Sequence, residues 1–388
     1  MEELIISLTD KDSHAIKREA GQGSLSLGPE HLKDKLDFDV IVGEHQNINW
    51  DCFNNLYTPH GQQNAHLYPN GDWPRWFYYY GNDSGFSFWS EKRKIEYFTW
   101  KPFKQVSVDF ENSNINQLTI IAEEHPIKLK IGSGITTLVL DGNLKNLDIE
   151  KAGSLENIHF NPAIEESDAS YRLPEFPAFK KSSSIHVTVK PVGQSFDCEQ
   201  LLQFEYLKSL SLSGNMTNLH VLSKLPNLES LSLRYVPDLS DLPELNTWKF
   251  LKSFIGWNIE EGRGKVLRKE LNKLSKEREM QYSSVSQLRK QIWFTTEYGI
   301  PFTAWEGKNA KLAVKVYKST VKKLGKAKVV EEVKTLLIEF AKTFNELPQI
   351  ETSEREDIAE AINQLRQVPS LEIDAKKAMG WFDEVRDY

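Results

Sequence analysis

The chain has 388 residues, 39% of them hydrophobic and 27% charged, which is apolar material for two or three packed domains and excludes wholesale disorder. No run approaches the roughly 18 apolar residues of a membrane-spanning helix. Two cysteines, Cys52 and Cys198, are too few for a disulfide framework or a Cys-rich zinc site. The net charge of −7 is uneven: residues 1–262 hold 24 Lys and Arg against 36 Asp and Glu, whereas residues 263–328 hold 17 against 5. That basic stretch is read either as a solvated face or as a surface for an acidic partner. The opening MEELIISLTDKD carries acids where a secretion signal needs a basic segment and a long apolar run, so a reducing, cytoplasmic setting is expected.

Two short apolar runs, Leu4 to Leu8 and Phe38 to Val42, begin the chain, and the alternation of DFDVIVG predicts a strand for the second. From Trp50 to Phe103 lie 17 aromatic residues, including WPRWFYYYG and the alternating FSFW at 86–89. With Asn-Gly at 70–71 and Gly-Asn at 81–82 as turn signals, this segment predicts hairpins around an aromatic core. An exposed aromatic platform is the other reading. Residues 1–102 are thus expected to form a β-rich aromatic cap.

A repeated pattern follows. Leu207-Lys-Ser-Leu210-Ser-Leu212-Ser-Gly-Asn215 fits LxxLxLxxN throughout, Leu228-Glu-Ser-Leu231-Ser-Leu233 repeats it 21 residues on, and Leu251-Lys-Ser-Phe254-Ile-Gly256-Trp-Asn258 repeats it after 23 more. Upstream, Ile135-Thr-Thr-Leu138-Val-Leu140-Asp-Gly-Asn143 fits the whole pattern. Partial copies begin at Phe103, Ile115, Leu144, Leu155 and Ser184, mostly 9 to 12 residues apart. Such short intervals leave no room for a return helix, so each copy is expected to be a coil of its own, closed by a tight turn.

These copies resemble the leucine-rich repeat family, in an irregular form of bacterial type. The resemblance covers residues 103–258 and implies a solenoid in which about nine stacked repeats bury one continuous core beneath a parallel sheet. After Asn258 the periodicity is helical. One helix is expected over 308–325, with Lys311, Lys315, Lys318 and Lys322 on one face, and another over 329–346. Asp374 is placed to cap a last helix carrying Trp381 and Phe382. The expected fold class is therefore α/β: a leucine-rich repeat solenoid with a parallel sheet at 103–258, the aromatic cap at 1–102, and an α-helical domain at 259–388.

Catalytic signatures are absent from the sequence: there is no Walker A, H-E-x-x-H, G-x-S-x-G or C-x-x-C motif. Some bacterial leucine-rich repeat effectors carry a helical ubiquitin-ligase domain with a nucleophilic cysteine, but no Cys follows Cys198 here. His60 and His66 could share a metal only through a folded loop, and no metal or cofactor is expected. In the solenoid register, the residues between and just after the inward leucines line the concave sheet. This places Asp109, Asp141, Asp148, Glu150 and His159 on early coils and Arg234, Tyr235 and Trp257 on late ones. The sequence thus points to a non-enzymatic protein-binding module. An immunity-type protein whose acids meet a basic toxin domain is its concrete form. The rival readings are an effector or enzyme with chemistry in a flanking domain, and nucleic-acid binding through the Lys face of helix 308–325.

Overall fold

The computed structural model describes residues 2–33, 36–59, 71–163, 169–296, 300–305, 307–347, 350 and 352–387. His60, His66 and Asn70 lie outside them. The chain is a mixed α/β protein with a twelve-stranded parallel sheet and helices toward its C-terminus. It divides into two compact units, residues 1–163, 174–187 and 203–208 forming the first, and 164–173, 188–202 and 209–388 the second.

The first unit opens with an antiparallel pair, β1 (Glu2–Ile6) and β2 (His14–Arg18). Its parallel strands are β3 (Ser24–Gly28), β4 (Val40–Ile41), β5 (Trp76–Tyr80) and, after a single helical turn α1 (Phe86–Trp89), β6 (Ile95–Lys101). From there the chain alternates between two sheets. The strands β7 (Val106–Phe110), β9 (Ile127–Ile131) and β11 (Leu147–Lys151) form a separate three-stranded parallel sheet. The strands β8 (Ile115–Ala122), β10 (Thr137–Gly142), β12 (Asn157–Pro162) and β13 (Ser184–Thr188) join β3 to β6 in the large one.

This alternation corrects the coil assignment made from spacing. Phe98 pairs with Leu118, Leu118 with Leu138 and Leu138 with Ile158, so one full repeat is 20 residues and holds a strand on each sheet. An interval of 9 to 12 residues is half a repeat. An LxxLxL pattern records only that alternate side chains point inward, and strands on either side of a shared core satisfy it equally.

The aromatic segment is also not a set of hairpins. Its strands run parallel, β5 pairing with β3 and β6, and FSFW is helical, with Phe86 and Trp89 buried on one side and Phe88 70% exposed on the other. Trp50 is the hub of the core there, its ring 5.2 to 6.1 Å from those of Phe77, Tyr79, Phe86, Trp89 and Phe98. Such edge-on and tilted contacts each add about 0.5–1.5 kcal/mol to the burial itself.

In the second unit a two-residue pair, β14 (Phe196–Asp197) and β16 (Met216–Thr217), flanks β15 (Ser209–Ser213). Then come β17 (Ser230–Arg234), β18 (Ser253–Trp257) and, after helix α2 (Glu261–Glu277), β19 (Tyr282–Ser286). Leu210 pairs with Leu231 and Leu231 with Phe254, the alignment read from the three long repeats. Their return segments are short 3-10 helices at Leu219–Lys224 and Leu245–Thr247. β19 is a strand within the stretch expected to be helical, since YSSVS is short enough to pair along β18.

The strands β15, β17, β18 and β19 are each followed by a residue of positive φ, Gly214 at +104°, Tyr235 at +54°, Asn258 at +52° and Gln287 at +54°. The turn they make carries the chain off the sheet at the same level in successive repeats. The remaining helices are α3 (Gln291–Thr296), α4 (Gly307–Leu324), α5 (Val330–Lys342), α6 (Thr352–Leu365) and α7 (Ala375–Asp383). Helices α4 to α7 pack Tyr317, Phe340, Phe344, Ile362 and Phe382 into one core, where the Tyr317 hydroxyl donates to Gln364 Oε1 at 2.7 Å. Asp374 caps α7 as expected, accepting from the Lys377 amide at 3.0 Å. Among the described residues, no helix is long and apolar enough to cross a membrane.

Candidate binding face

Strand alternation divides the aromatic run in the first unit. Phe77 and Tyr79 point into the core, while Trp76, Tyr78 and Tyr80 point to the other face of the large sheet. Register then fixes two rows across that face. One runs Trp76, Tyr97, Gln117, Thr137, Asn157, and the next runs Tyr78, Thr99, Thr119, Val139, His159, His186. Tyr78 is 44% and Tyr97 42% exposed. Trp76 meets Tyr97 edge-on at 6.0 Å and is held by its indole N–H, which donates to Glu96 Oε2 at 2.9 Å. A core and an exposed platform were alternatives in the sequence; the strands carry both.

At the far end of the second row, His159 and His186 stack with ring centroids 4.2 Å apart and planes 5° from parallel. Partial burial depresses both imidazoles, and His159 beside it contributes to pushing His186 down to about 4. The folded state thus holds His186 neutral, while the unfolded chain binds its proton near pH 6.5. This contribution to stability is whole above about pH 6.5 and is lost as the pH falls toward 4. With a discount for the partly exposed ring, it should amount to about 1 kcal/mol between pH 7.5 and pH 5. Urea denaturation of the wild type and His186→Gln at the two pH values measures it, and the variant should lose less stability on acidification. Equal losses would remove His186 from the account.

The four predicted acids are split between the two sheets. Asp141 lies on β10 of the large sheet, beside Asn161 in register, and partial burial raises its carboxyl above the usual range. Asp109, Asp148 and Glu150 lie on β7 and β11 of the three-stranded sheet. Between those strands runs β9, IKLKI, which lacks the LxxLxL pattern. Its Lys128 stands 2.8 Å from Glu150 and 3.9 Å from Asp148, and its Lys130 3.7 Å from Asp109. The expected acidic patch is therefore a row of cross-strand ion pairs of alternating sign. Exposed pairs of this kind contribute little to stability, but they cancel the field that a basic partner would need.

Arg234, Tyr235 and Trp257 do come together in the second unit. Tyr235 meets Trp257 edge-on at 5.0 Å, and the Arg234 guanidinium lies 5.7 Å from the Trp257 ring centre. Two further residues complete the group, Trp293 stacked 6.4 Å from Tyr235 and Arg289 4.4 Å over Trp293. Repeat spacing could not find them, because they follow the last strand in a segment without the pattern. The basic helix is placed as expected, with Lys311, Lys315 and Lys322 exposed and Lys318 half-buried.

Cys52 is pushed up to about 12 and Cys198 is raised further, in both cases chiefly by burial, so neither supplies a thiolate at neutral pH. Among the described residues, no group of three or more His, Cys, Asp or Glu is placed to hold a metal ion. A scan against protein-family models found no matching family, and searches of the curated proteins and of the solved structures found no match.

Proposed function

We propose that this chain is a non-enzymatic binding protein, built as a leucine-rich repeat solenoid, that recognises a protein partner on the open face of the sheet in its first unit. The observation that carries the proposal is the exposure of Tyr78 and Tyr97 beside Trp76 on adjacent strands. Folding gains nothing from leaving these rings in water, whereas Tyr and Trp dominate the energetics of protein interfaces. Thr99, Thr119, Gln117 and Thr137 continue the face with short or neutral side chains, and the Arg75–Glu96 pair beside Trp76 forms its charged edge, the arrangement of an interface centre and rim. A toxin-neutralising protein of the bacterial cytoplasm remains the concrete form, and the two free cysteines fit its reducing setting alone. The ion-paired acids favour a neutral, aromatic-accepting partner surface over a basic one.

The test is affinity capture from the native cell, followed by titration of the purified partner against wild type and Tyr78→Ser/Tyr97→Ser. The double variant should melt like the wild type and bind about 100-fold more weakly, the loss of two moderate hot spots. Wild-type affinity in the variant would move the interface elsewhere.

A further inference from the structure

Within the second unit, the turns that follow the strands and the end of α4 enclose a cleft of about 570 Å³. Its accessible apolar walls are the half-buried Val368 and the edges of Val192 and Pro237, with the buried Phe294 and Val321 closing the floor behind them. Lys322, in the last turn of α4, and Lys326, just beyond its end, also line it, together with one acid, Asp238, whose Oδ1 accepts from the Ser240 amide at 2.8 Å. No carboxylate lies within ion-pair distance of either among the described residues, although their neighbour Lys323 reaches Glu339 at 3.9 Å.

The wall is pre-formed. Asn215 donates to the Gly193 carbonyl at 2.9 Å, and Gln367 Oε1 accepts from the Gly193 amide at 3.3 Å, so residue 193 is held from both sides. Lys190 adds an ion pair to Glu360 at 3.2 Å. A cleft of this size with apolar walls and a few charged groups is characteristic of small-molecule sites, and its rigidity lowers the ordering cost of binding.

We infer that this cleft binds a small amphipathic anion, an apolar ring or chain ending in a carboxylate or sulfonate. The apolar part would lie against Val368, Val192 and Pro237, over the buried Phe294 and Val321, and the anionic end would meet Lys322 and Lys326. The sign of the charge follows from two lysines against the single Asp238 in the lining, and the apolar requirement from the walls. This site is separate from the face proposed above, and either can fail without the other.

The probe is 8-anilinonaphthalene-1-sulfonate, whose fluorescence rises on entering an apolar site, titrated into the full chain. Saturable one-to-one binding is expected, displaced by decanoate but not by decanol or acetate. Lys322→Gln/Lys326→Gln should weaken it at least tenfold. Gly325→Phe should do the same by filling the cleft, since a Cβ at Gly325 meets only the Val321 carbonyl oxygen, at an ordinary 3.5 Å, and an unchanged melting temperature checks that the fold accepts the ring. Unsaturable binding, displacement by decanol as readily as by decanoate, or wild-type affinity in both folded variants would overturn the assignment.

Discussion

Leu231→Asp should abolish cooperative folding of the second unit, while Ser232→Asp, one position along the same strand, should cost less than about 1 kcal/mol. Leu231 is fully buried between its register partners Leu210 and Phe254, whereas Ser232 faces outward beside Arg234, whose Nε donates to its hydroxyl at 3.3 Å. Removing the leucine costs about 2–5 kcal/mol in a core, and an unpaired carboxylate there adds several more. The sum rivals the total stability of about 5–15 kcal/mol typical of a domain. Far-UV circular dichroism during heating distinguishes the two variants. A cooperative melt for Leu231→Asp at the wild-type temperature would mean that the strand presents its other face to the core.

That register was legible because leucine at every second position is expensive to misplace. The three long repeats of the second unit align in the sequence as their strands pair in space, Leu210 with Leu231 and Leu231 with Phe254. In the first unit the same pattern was ambiguous. Val106-Ser-Val108 and Leu118-Thr-Ile120 alternate alike, yet they lie on different sheets. Inward alternation reports distance from a core and carries no label for the side from which the core is approached.

The candidate sites divided along the same line. Arg234 and Trp257 were found because they are register partners on adjacent strands, and Tyr235 because it follows Arg234 directly. Asp109, Asp148 and Glu150 were assigned to the large sheet because β7 and β11 alternate as its strands do, and their pairing was hidden because the lysine partners sit on β9, whose IKLKI lacks a leucine-rich signature. The rows bearing Tyr78, Tyr97 and His186 needed the strands themselves. Aromatic residues on consecutive positions look alike in sequence until alternation sends Phe77 and Tyr79 inward and Tyr78 outward.

Gly214→Ala should destabilise the second unit by about 3 kcal/mol or more, although it adds a single methyl group. The four residues that follow β15, β17, β18 and β19 share a positive φ but not the same value. Tyr235, Asn258 and Gln287 lie between +52° and +54°, inside the narrow well that L-residues can enter. Gly214 lies at +104°, beyond it, where a side chain is strained whatever the space. The space is also missing, since a Cβ at Gly214 would stand 1.9 Å from the Val189 carbonyl oxygen, a backbone atom that no side-chain rotation can move away. Relief would require shifting the turn off the neighbouring repeat, which breaks the Gly214 amide's hydrogen bond to the Arg234 carbonyl at 3.0 Å. Gln287→Ala, at the aligned position of the last repeat, is the control. It keeps an L-residue at +54° and loses only an exposed contact with Arg289 at 3.1 Å, so less than about 1 kcal/mol should go. Urea denaturation of both variants provides the comparison. A Gly214→Ala protein within 1 kcal/mol of the wild type would show that the turn after β15 yields readily, and that close stacking of the repeats at this corner does not depend on glycine.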